Sequence, residues 1–202
     1  MLTSSWTCPT RRSGTTTRSW SSSQLRRATC WRPSATLASA TTSLCRSSAP
    51  TACPGYLRAK VAQEAEIEAG AIPHTILRAT QFFEFLSQIV EAGAEGDTVR
   101  LSTGLMQFVA ADDVAATVAE LATAAPVGGR VQLGGPEALG IDAWARRLFA
   151  TTGDARTVVG DPHARYFGTE LHGGELTPDD GARIGTTGFE TWFVEHRRGA
   201  GR

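Results

Sequence analysis

Residues 55–93 read GYLRAKVAQEAEIEAGAIPHTILRATQFFEFLSQIVEAG, and this stretch decides the fold. Residues 56–69 are rich in Ala, Glu and Gln and are followed by Gly70, a pattern that predicts a helix. His74–Ala79 is a short run with β-branched residues just after Pro73, which predicts a strand. Residues 82–92 are apolar at helical spacing and end at Gly93, which predicts a second helix.

The same alternation continues toward the C-terminus. Further strands are predicted at 98–102 and 107–110 around a turn at Gly104, and at 130–133. Further helices are predicted at 112–124, capped by Asp112, and at 141–150, headed by Asp142. Strands that alternate with helices imply parallel strands with crossover helices. We therefore predict an α/β protein containing the C-terminal portion of a Rossmann-like doubly wound sheet.

The first 54 residues have a different composition. They contain no Asp, Glu or Lys, and they hold 12 Ser, 11 Thr, 7 Arg, all four Cys and a single glycine, Gly14. The formal net charge of zero therefore divides into +7 before residue 55 and −7 after it. A segment so poor in aliphatic residues cannot offset the entropy of ordering its chain. We expect residues 1–54 to be irregular or disordered.

Three origins are open for residues 1–54: a basic nucleic-acid-binding arm, a transit peptide, or a GC-rich coding sequence translated in the wrong frame. The scattered arginines are a poor nucleic-acid footprint, and the prolines and tryptophans are unsuited to an amphipathic transit helix. We interpret the segment as an out-of-frame leader joined to a partial domain at 55–202. The cysteine spacing matches no metal site, so we expect no metal. We also expect no nucleic-acid or membrane partner and a cytoplasmic location, because no apolar run suits a signal peptide or a membrane span.

Tyr56 and Lys60 form a Tyr-x-x-x-Lys pair, one helical turn apart on one face of the predicted helix. A phenol is a poor acid or base at neutral pH unless a cation lies nearby, and an ammonium at this spacing supplies one. The alternative is structural: Lys60 pairs with Glu64 one turn on, and Tyr56 packs as a surface aromatic.

Three segments together resemble the NmrA-like, NAD(P)-binding members of the atypical short-chain dehydrogenase/reductase (SDR) superfamily. They are GYLRAKVAQE at 55–64, IPHTILRATQFFEF at 72–85 and FVAADDV at 108–114, and the resemblance extends over about 55–196 with DPHARYFG at 161–168. It implies an oxidoreductase that binds NAD or NADP and acts on a small-molecule carbonyl or alcohol. It also implies a small C-terminal segment on the substrate side.

The resemblance assigns roles residue by residue. Tyr56 is the catalytic proton donor or acceptor, Lys60 is catalytic and also binds the nicotinamide ribose, and Thr80, Gln81 and Phe82 follow a strand end beside the nicotinamide. Arg78, His163 and Tyr166 are candidate substrate contacts. The alternative for Arg78 is a salt bridge to Asp112 or Asp113, and the alternative for His163, Tyr166 and Phe167 is loop packing.

This chain departs from the family pattern at the pyrophosphate. Dinucleotide folds bind this group at a Gly-rich turn that opens the first helix, and Gly14 alone cannot supply such a turn. We therefore expect impaired cofactor binding in a truncated product. A non-catalytic NAD(P) sensor and a non-functional product remain alternatives to the enzyme. The sequence predicts neither the substrate nor the oligomeric state.

Overall fold

A computed structural model describes residues 37–42 and 55–200, with residues 37–42, 55–58 and 198–200 described by their backbone alone. All of these residues belong to one compact unit, Ser34–Arg202. The strands are β1 Leu37–Thr42, β2 His74–Ala79, β3 Ala94–Glu95, β4 Thr98–Leu101, β5 Leu105–Met106, β6 Gly129–Gly134, β7 Leu139–Gly140, β8 Thr157–Gly160, β9 Arg165–Tyr166, β10 Thr169–Glu170 and β11 Arg183–Ile184. The helices are α1 Gly55–Glu68, α2 Leu86–Ala92, α3 Ala111–Thr123, α4 Ile141–Thr152 and α5 Phe189–Ala200, with a 3₁₀ turn at Phe83–Phe85.

The main sheet has four parallel strands in the order β1-β2-β6-β11. Helix α1 connects β1 to β2, and helix α3 lies on the longer connection from β2 to β6. Side chains alternate between the faces of a strand, so Leu77 and Ala79 share one face of β2 while Ile76 and Arg78 share the other. Leu77 and Ala79 pack with Val114 and Leu121 of α3, whereas Arg78 contacts Glu64 of α1. Helices α1 and α3 therefore cover opposite faces, as a doubly wound sheet requires.

The remaining strands form small sheets beside the main one. β4 pairs in parallel with β8 and antiparallel with β3, while β5 pairs antiparallel with β7. β9 and β10 form a short antiparallel hairpin.

A cluster of aromatic side chains fills the space between α4, α5 and the segment after β2. Its members, which we call the aromatic cluster, are Phe83, Phe108, Trp144, Phe189 and Trp192. The Phe83 ring lies 5.5 Å from both Phe108 and Trp144, stacked on the first and edge-on to the second. The Trp144 indole Nε1 also donates a hydrogen bond to the Met106 carbonyl at 2.8 Å, so this buried ring leaves no polar atom unpaired.

The predicted fold class is confirmed, and so are most of its elements. Helix α1, strand β2, strand β6 and helix α4 agree with their predicted ranges within two residues. The 82–92 region is a 3₁₀ turn followed by α2, which ends at Gly93 as predicted. No helix among the described residues is long and apolar enough to cross a membrane.

Two local predictions were wrong. Residues 107–110 form no strand but a single bridge between Val109 and Phe82, because Val109 exchanges backbone hydrogen bonds with the segment after β2. Asp112 does not cap α3, because the N-cap position is Ala110, whose side chain makes no cap hydrogen bond. Asp142 lies in the first turn of α4, as predicted, and pairs with Arg146 four residues later.

The prediction for residues 1–54 needs one correction. Leu37–Thr42 is a strand that pairs along its whole length with β2. The rest of that prediction falls on residues outside the described ones.

Candidate functional site

The carboxyl ends of the main sheet's parallel strands meet at one edge, where ligands bind in doubly wound folds. β2 runs into Thr80-Gln81-Phe82 at this edge, β6 into Gly135 and β11 into Gly185. The β6 end is tightly packed, because a Cβ at Gly135 would lie 1.6 Å from the Phe108 carbonyl oxygen. This edge is therefore the candidate site, and its backbone is closely held.

The segment after β2 is fixed by main-chain hydrogen bonds. The Thr80 N–H donates to the Leu133 carbonyl at 3.0 Å, and the Val109 N–H donates to the Gln81 carbonyl at 2.9 Å. Thr80 is 1% exposed, and its hydroxyl has no hydrogen-bond partner among the described residues. A buried polar atom of this kind costs free energy unless a ligand or water satisfies it.

Gln81 joins this edge to the C-terminal segment. The Tyr166 hydroxyl, on β9, donates a hydrogen bond to Gln81 Oε1 at 3.1 Å across 85 residues of sequence. Burial raises the pKa of Tyr166 above its ordinary value. The Tyr166 phenol therefore stays protonated at neutral pH and acts as a hydrogen-bond donor, not as a base.

Beside Tyr166 lies a cavity of about 300 Å³. It is bordered by the end of α2, by β3 and β4, by the start of α4 and by the β9–β10 hairpin. Its lining residues are Ile89, Ala92, Gly93, Ala94, Glu95, Arg100, Leu101, Ser102, Ile141, Ala164, Arg165, Tyr166 and Phe167. The cavity therefore combines apolar walls with a few charged and hydroxyl-bearing side chains, as small-molecule sites do.

The other predicted substrate contacts lie elsewhere. His163 does not line the cavity; its exposed ring lies 3.7 Å from the Glu170 carboxylate. Arg78 donates through Nε to both carboxylate oxygens of Glu64, at 3.0 and 3.1 Å. This ion pair raises the pKa of Arg78, with the hydrogen bond that Arg78 donates to Glu64 as the main cause.

The alternative salt bridge of Arg78 to Asp112 or Asp113 was therefore wrong. Asp112 is exposed on α3, whereas Asp113 accepts hydrogen bonds from the Thr187 backbone N–H at 2.9 Å and hydroxyl at 3.0 Å. Asp113 thus ties α3 to the segment between β11 and α5. Glu64, the actual partner of Arg78, is on the helix that carries the Tyr/Lys pair.

Glu64 belongs to a group of charges that attaches α1 to the sheet. Its side chain is 3% exposed and also pairs with Arg130 of β6 at 3.3 Å, while Arg130 pairs with Glu68 at 2.8 Å. We call Glu64, Glu68, Arg78 and Arg130 the charged cluster. It holds the helix on which Lys60 lies half-buried; the side chain of Tyr56 is outside the described part of the chain.

Sequence reasoning missed two features of the site. Arg100 and Arg165 line the cavity, and the only signal for them was an isolated arginine in a strand and another in a loop. Glu84 was also missed: its Oε1 accepts hydrogen bonds from Trp192 Nε1 at 2.9 Å and from the Ala111 N–H at 3.4 Å. No group of three or more potential metal ligands occurs among the described residues.

Comparisons with protein-family models and with curated proteins find no match. Solved structures do match. A dTDP-4-dehydrorhamnose reductase from Bacillus anthracis in complex with NADP has a TM-score of 0.57 at 14% identity, over 79% of this chain and 65% of that one. An NADPH-dependent quinone oxidoreductase from Escherichia coli has 0.56 at 18%, over 80% and 67%.

A putative epimerase from Burkholderia cenocepacia has a TM-score of 0.55 at 18% identity, over 83% of this chain and 65% of that one. The chain thus spans about 65% of the length of two of these three structures. At such identities the likeness concerns the fold alone. Sequence pattern, strand order and structural likeness agree that the described residues form a Rossmann-like α/β fold of the kind found in NAD(P)-binding enzymes.

Proposed function

We propose that this chain is an NAD(P)-dependent oxidoreductase of the atypical, NmrA-like SDR type that acts on a small carbonyl compound or alcohol. The observation that carries the proposal is the contact between Gln81 and Tyr166 at the carboxyl edge of the sheet. It joins a segment expected beside the nicotinamide to the wall of a ligand-sized cavity. The reductase structure in complex with NADP supports the choice of cofactor.

The described residues fit the nicotinamide end of the cofactor. Thr80 offers a buried hydroxyl without a partner, and Gln81 and Phe82 continue the same edge. Lys60 would bind the ribose from α1, as the Tyr-x-x-x-Lys resemblance implies. NAD(P)H, when bound, supplies the hydride, and the protein's part is to bind and orient.

Proton transfer is assigned to Tyr56. The chain has two tyrosines, and the raised pKa of Tyr166, together with its bond to Gln81, makes that residue the poorer acid. Lys60, one turn from Tyr56, would favour the phenolate by its charge. Tyr166 instead positions Gln81 and closes one side of the cavity.

Cofactor affinity is expected to be low. A charge-assisted hydrogen bond contributes about 1.5 to 3 kcal/mol, whereas micromolar affinity requires about 8 kcal/mol. Backbone donors at a Gly-rich turn supply most of this in dinucleotide folds. The sequence before Gly55 holds one glycine, so the pyrophosphate lacks that cradle there.

The test is titration calorimetry of the purified chain with NADPH and NADH, followed by hydride transfer to a panel of carbonyls. We expect binding weaker than micromolar. Tyr56→Phe should lower turnover about 100-fold or more with little change in cofactor affinity, because it removes only the proton donor.

Tyr166→Phe is the matched control, since it removes a phenol from the same site. It should raise KM more than it lowers kcat. Equal losses of kcat in the two variants would contradict the assignment of Tyr56. Cofactor binding with no turnover of any carbonyl would favour a sensor.

A further inference from the structure

The cavity beside Tyr166 has walls of two kinds. Ile89, Leu101 and Ile141 give it an apolar side, and all three are at most 6% exposed. Tyr166 and Phe167 give it an aromatic side, with their rings edge-to-face at 4.6 Å between centroids. A flat ring could pack between these two surfaces.

Phe167 occupies an unfavourable position. With Gly168 it forms the two-residue turn of the β9–β10 hairpin, and both residues have positive φ, at 46° and 85°. Such turns favour Asn-Gly, and a bulky residue at positive φ is strained. The side chain is also 70% exposed, although it is large and apolar. Strain and apolar exposure at a cavity mouth are typical of a ligand contact.

The side chains that line the cavity carry two positive charges and one negative charge. Arg100 and Arg165 both line it, and Arg165 forms no ion pair with any described residue. Arg100 forms an ion pair with Asp161 through a single contact of 3.3 Å. Glu95 lines the same cavity and opposes anion binding. The hairpin itself adds Glu170 and His163, which contact each other at 3.7 Å.

We propose that this cavity binds the substrate, and that the substrate is a small carbonyl compound with one flat ring and a carboxylate. The ring packs between the Phe167 side and the apolar wall, and the carboxylate meets the guanidinium groups of Arg100 and Arg165. Guanidinium groups match the two oxygens of a carboxylate by their planar geometry. The choice of a carbonyl compound rests on the proposed function; the ring and the carboxylate rest on the cavity alone.

The size of the cavity limits the ligand. About 300 Å³ is at the lower end of the volumes of small-molecule sites. A cavity of this size accommodates a single substituted ring. It is too small to hold a whole sugar nucleotide.

The test is calorimetric binding of 4-carboxybenzaldehyde and of its methyl ester to the full chain, without NAD(P). The two probes share ring, aldehyde and shape and differ in charge. We expect the acid to bind at least about tenfold more tightly than the ester, because a charge-assisted contact is lost in the ester.

Variants at exposed side chains locate the contact. Arg165→Gln and Arg100→Gln should each weaken binding of the acid about tenfold and leave the ester unchanged. Glu95→Gln should strengthen binding of the acid a few-fold, because it removes an opposing charge. Arg183→Gln is the matched control: this exposed arginine pairs with Glu120 outside the cavity, and its loss should change nothing.

Equal affinity for acid and ester, no binding of the acid at millimolar concentration, or an equal loss in Arg183→Gln would overturn the proposal. Far-ultraviolet circular dichroism of each variant shows that it is folded. The binding test needs no cofactor, so it tests the substrate cavity separately from the proposed oxidoreductase activity. Acid binding that depends on Arg165, with no oxidation of NADPH, would uphold the site and refute the proposed function.

Discussion

Helices α1 and α4 are attached to the fold by different physical means. α4 inserts Trp144 into the aromatic cluster, where the ring is fully buried. α1 presents Glu64 to Arg78 and Arg130 in the charged cluster, where Glu64 is buried but Arg130 is 41% exposed. Burial of apolar surface is a large and geometrically tolerant contribution, whereas paired charges stabilise only if every partner is present. The proposed catalytic pair therefore lies on α1, the helix whose attachment depends on every charged partner being present.

The largest effect is expected in the aromatic cluster. Trp144→Ala should lower the free energy of unfolding by about 3 to 5 kcal/mol, because it leaves a large cavity and removes the hydrogen bond to the Met106 carbonyl. Urea denaturation measures the change. Phe85→Ala is the control, since Phe85 is 45% exposed and should cost less than about 1 kcal/mol. Similar losses in the two variants would show that the aromatic cluster is not the main source of stability.

A smaller effect is expected in the charged cluster. Glu64→Gln should lower the free energy of unfolding by about 2 to 3 kcal/mol, because it leaves Arg78 partly buried with an uncompensated charge. Glu68→Gln, in an exposed pair with Arg130, should cost at most about 1 kcal/mol. Both are measured by the same denaturation.

A double variant sharpens this second comparison. Glu64→Leu combined with Arg78→Leu replaces the ion pair by apolar side chains and should be more stable than Glu64→Gln alone. If the double variant is instead the less stable one, the charges themselves attach α1, and the contrast with the aromatic cluster disappears.

The smallest effect concerns Tyr166, between the sheet edge and the hairpin. Its folded-state pKa is raised, so its contribution to stability is complete below the unfolded value of about 10 and is lost as pH rises above it. Tyr166→Phe should remove this alkaline loss and cost about 1 kcal/mol at neutral pH through the hydrogen bond to Gln81. Denaturation between neutral and alkaline pH measures both.

The two tyrosines allow a direct check of that pKa. In Tyr56→Phe the tyrosinate absorbance reports Tyr166 alone, and it should appear above the ordinary pH range of a phenol. Ionisation of Tyr166 at an ordinary pKa would mean that the hairpin does not bury its ring.

Sequence reasoning succeeded where the signal is local. The helix at α1 and the strand at β2 were predicted because a run of helix-forming residues ends at Gly70 and a β-branched run begins after Pro73. It failed at 107–110, where three consecutive apolar residues are buried by distant neighbours and not by a sheet. It also failed at Asp112, which is the second residue of the helix, while the N-cap position is an alanine.

The candidate site shows the same division. Gln81 and Tyr166 were each singled out, one for the cofactor and one for the substrate, and the structure brings their side chains together. Their roles stay predictions. For Arg78 the sequence left two alternatives, a substrate contact or a salt bridge to an aspartate of α3. Its partner is instead Glu64, which lies fourteen residues earlier on a different element, and no spacing rule predicts such a contact.

The sequence by itself determined the order of helices and strands, because hydrophobic period and Gly or Pro boundaries act within a few residues. It also determined the Tyr/Lys spacing, since one helical turn fixes it. Only the tertiary structure decided which charges neutralise each other, which aromatic rings share a core, and that Arg100, Arg165 and Phe167 surround one cavity. These contacts join residues far apart in sequence, and their free energy depends on burial and geometry that no local pattern encodes.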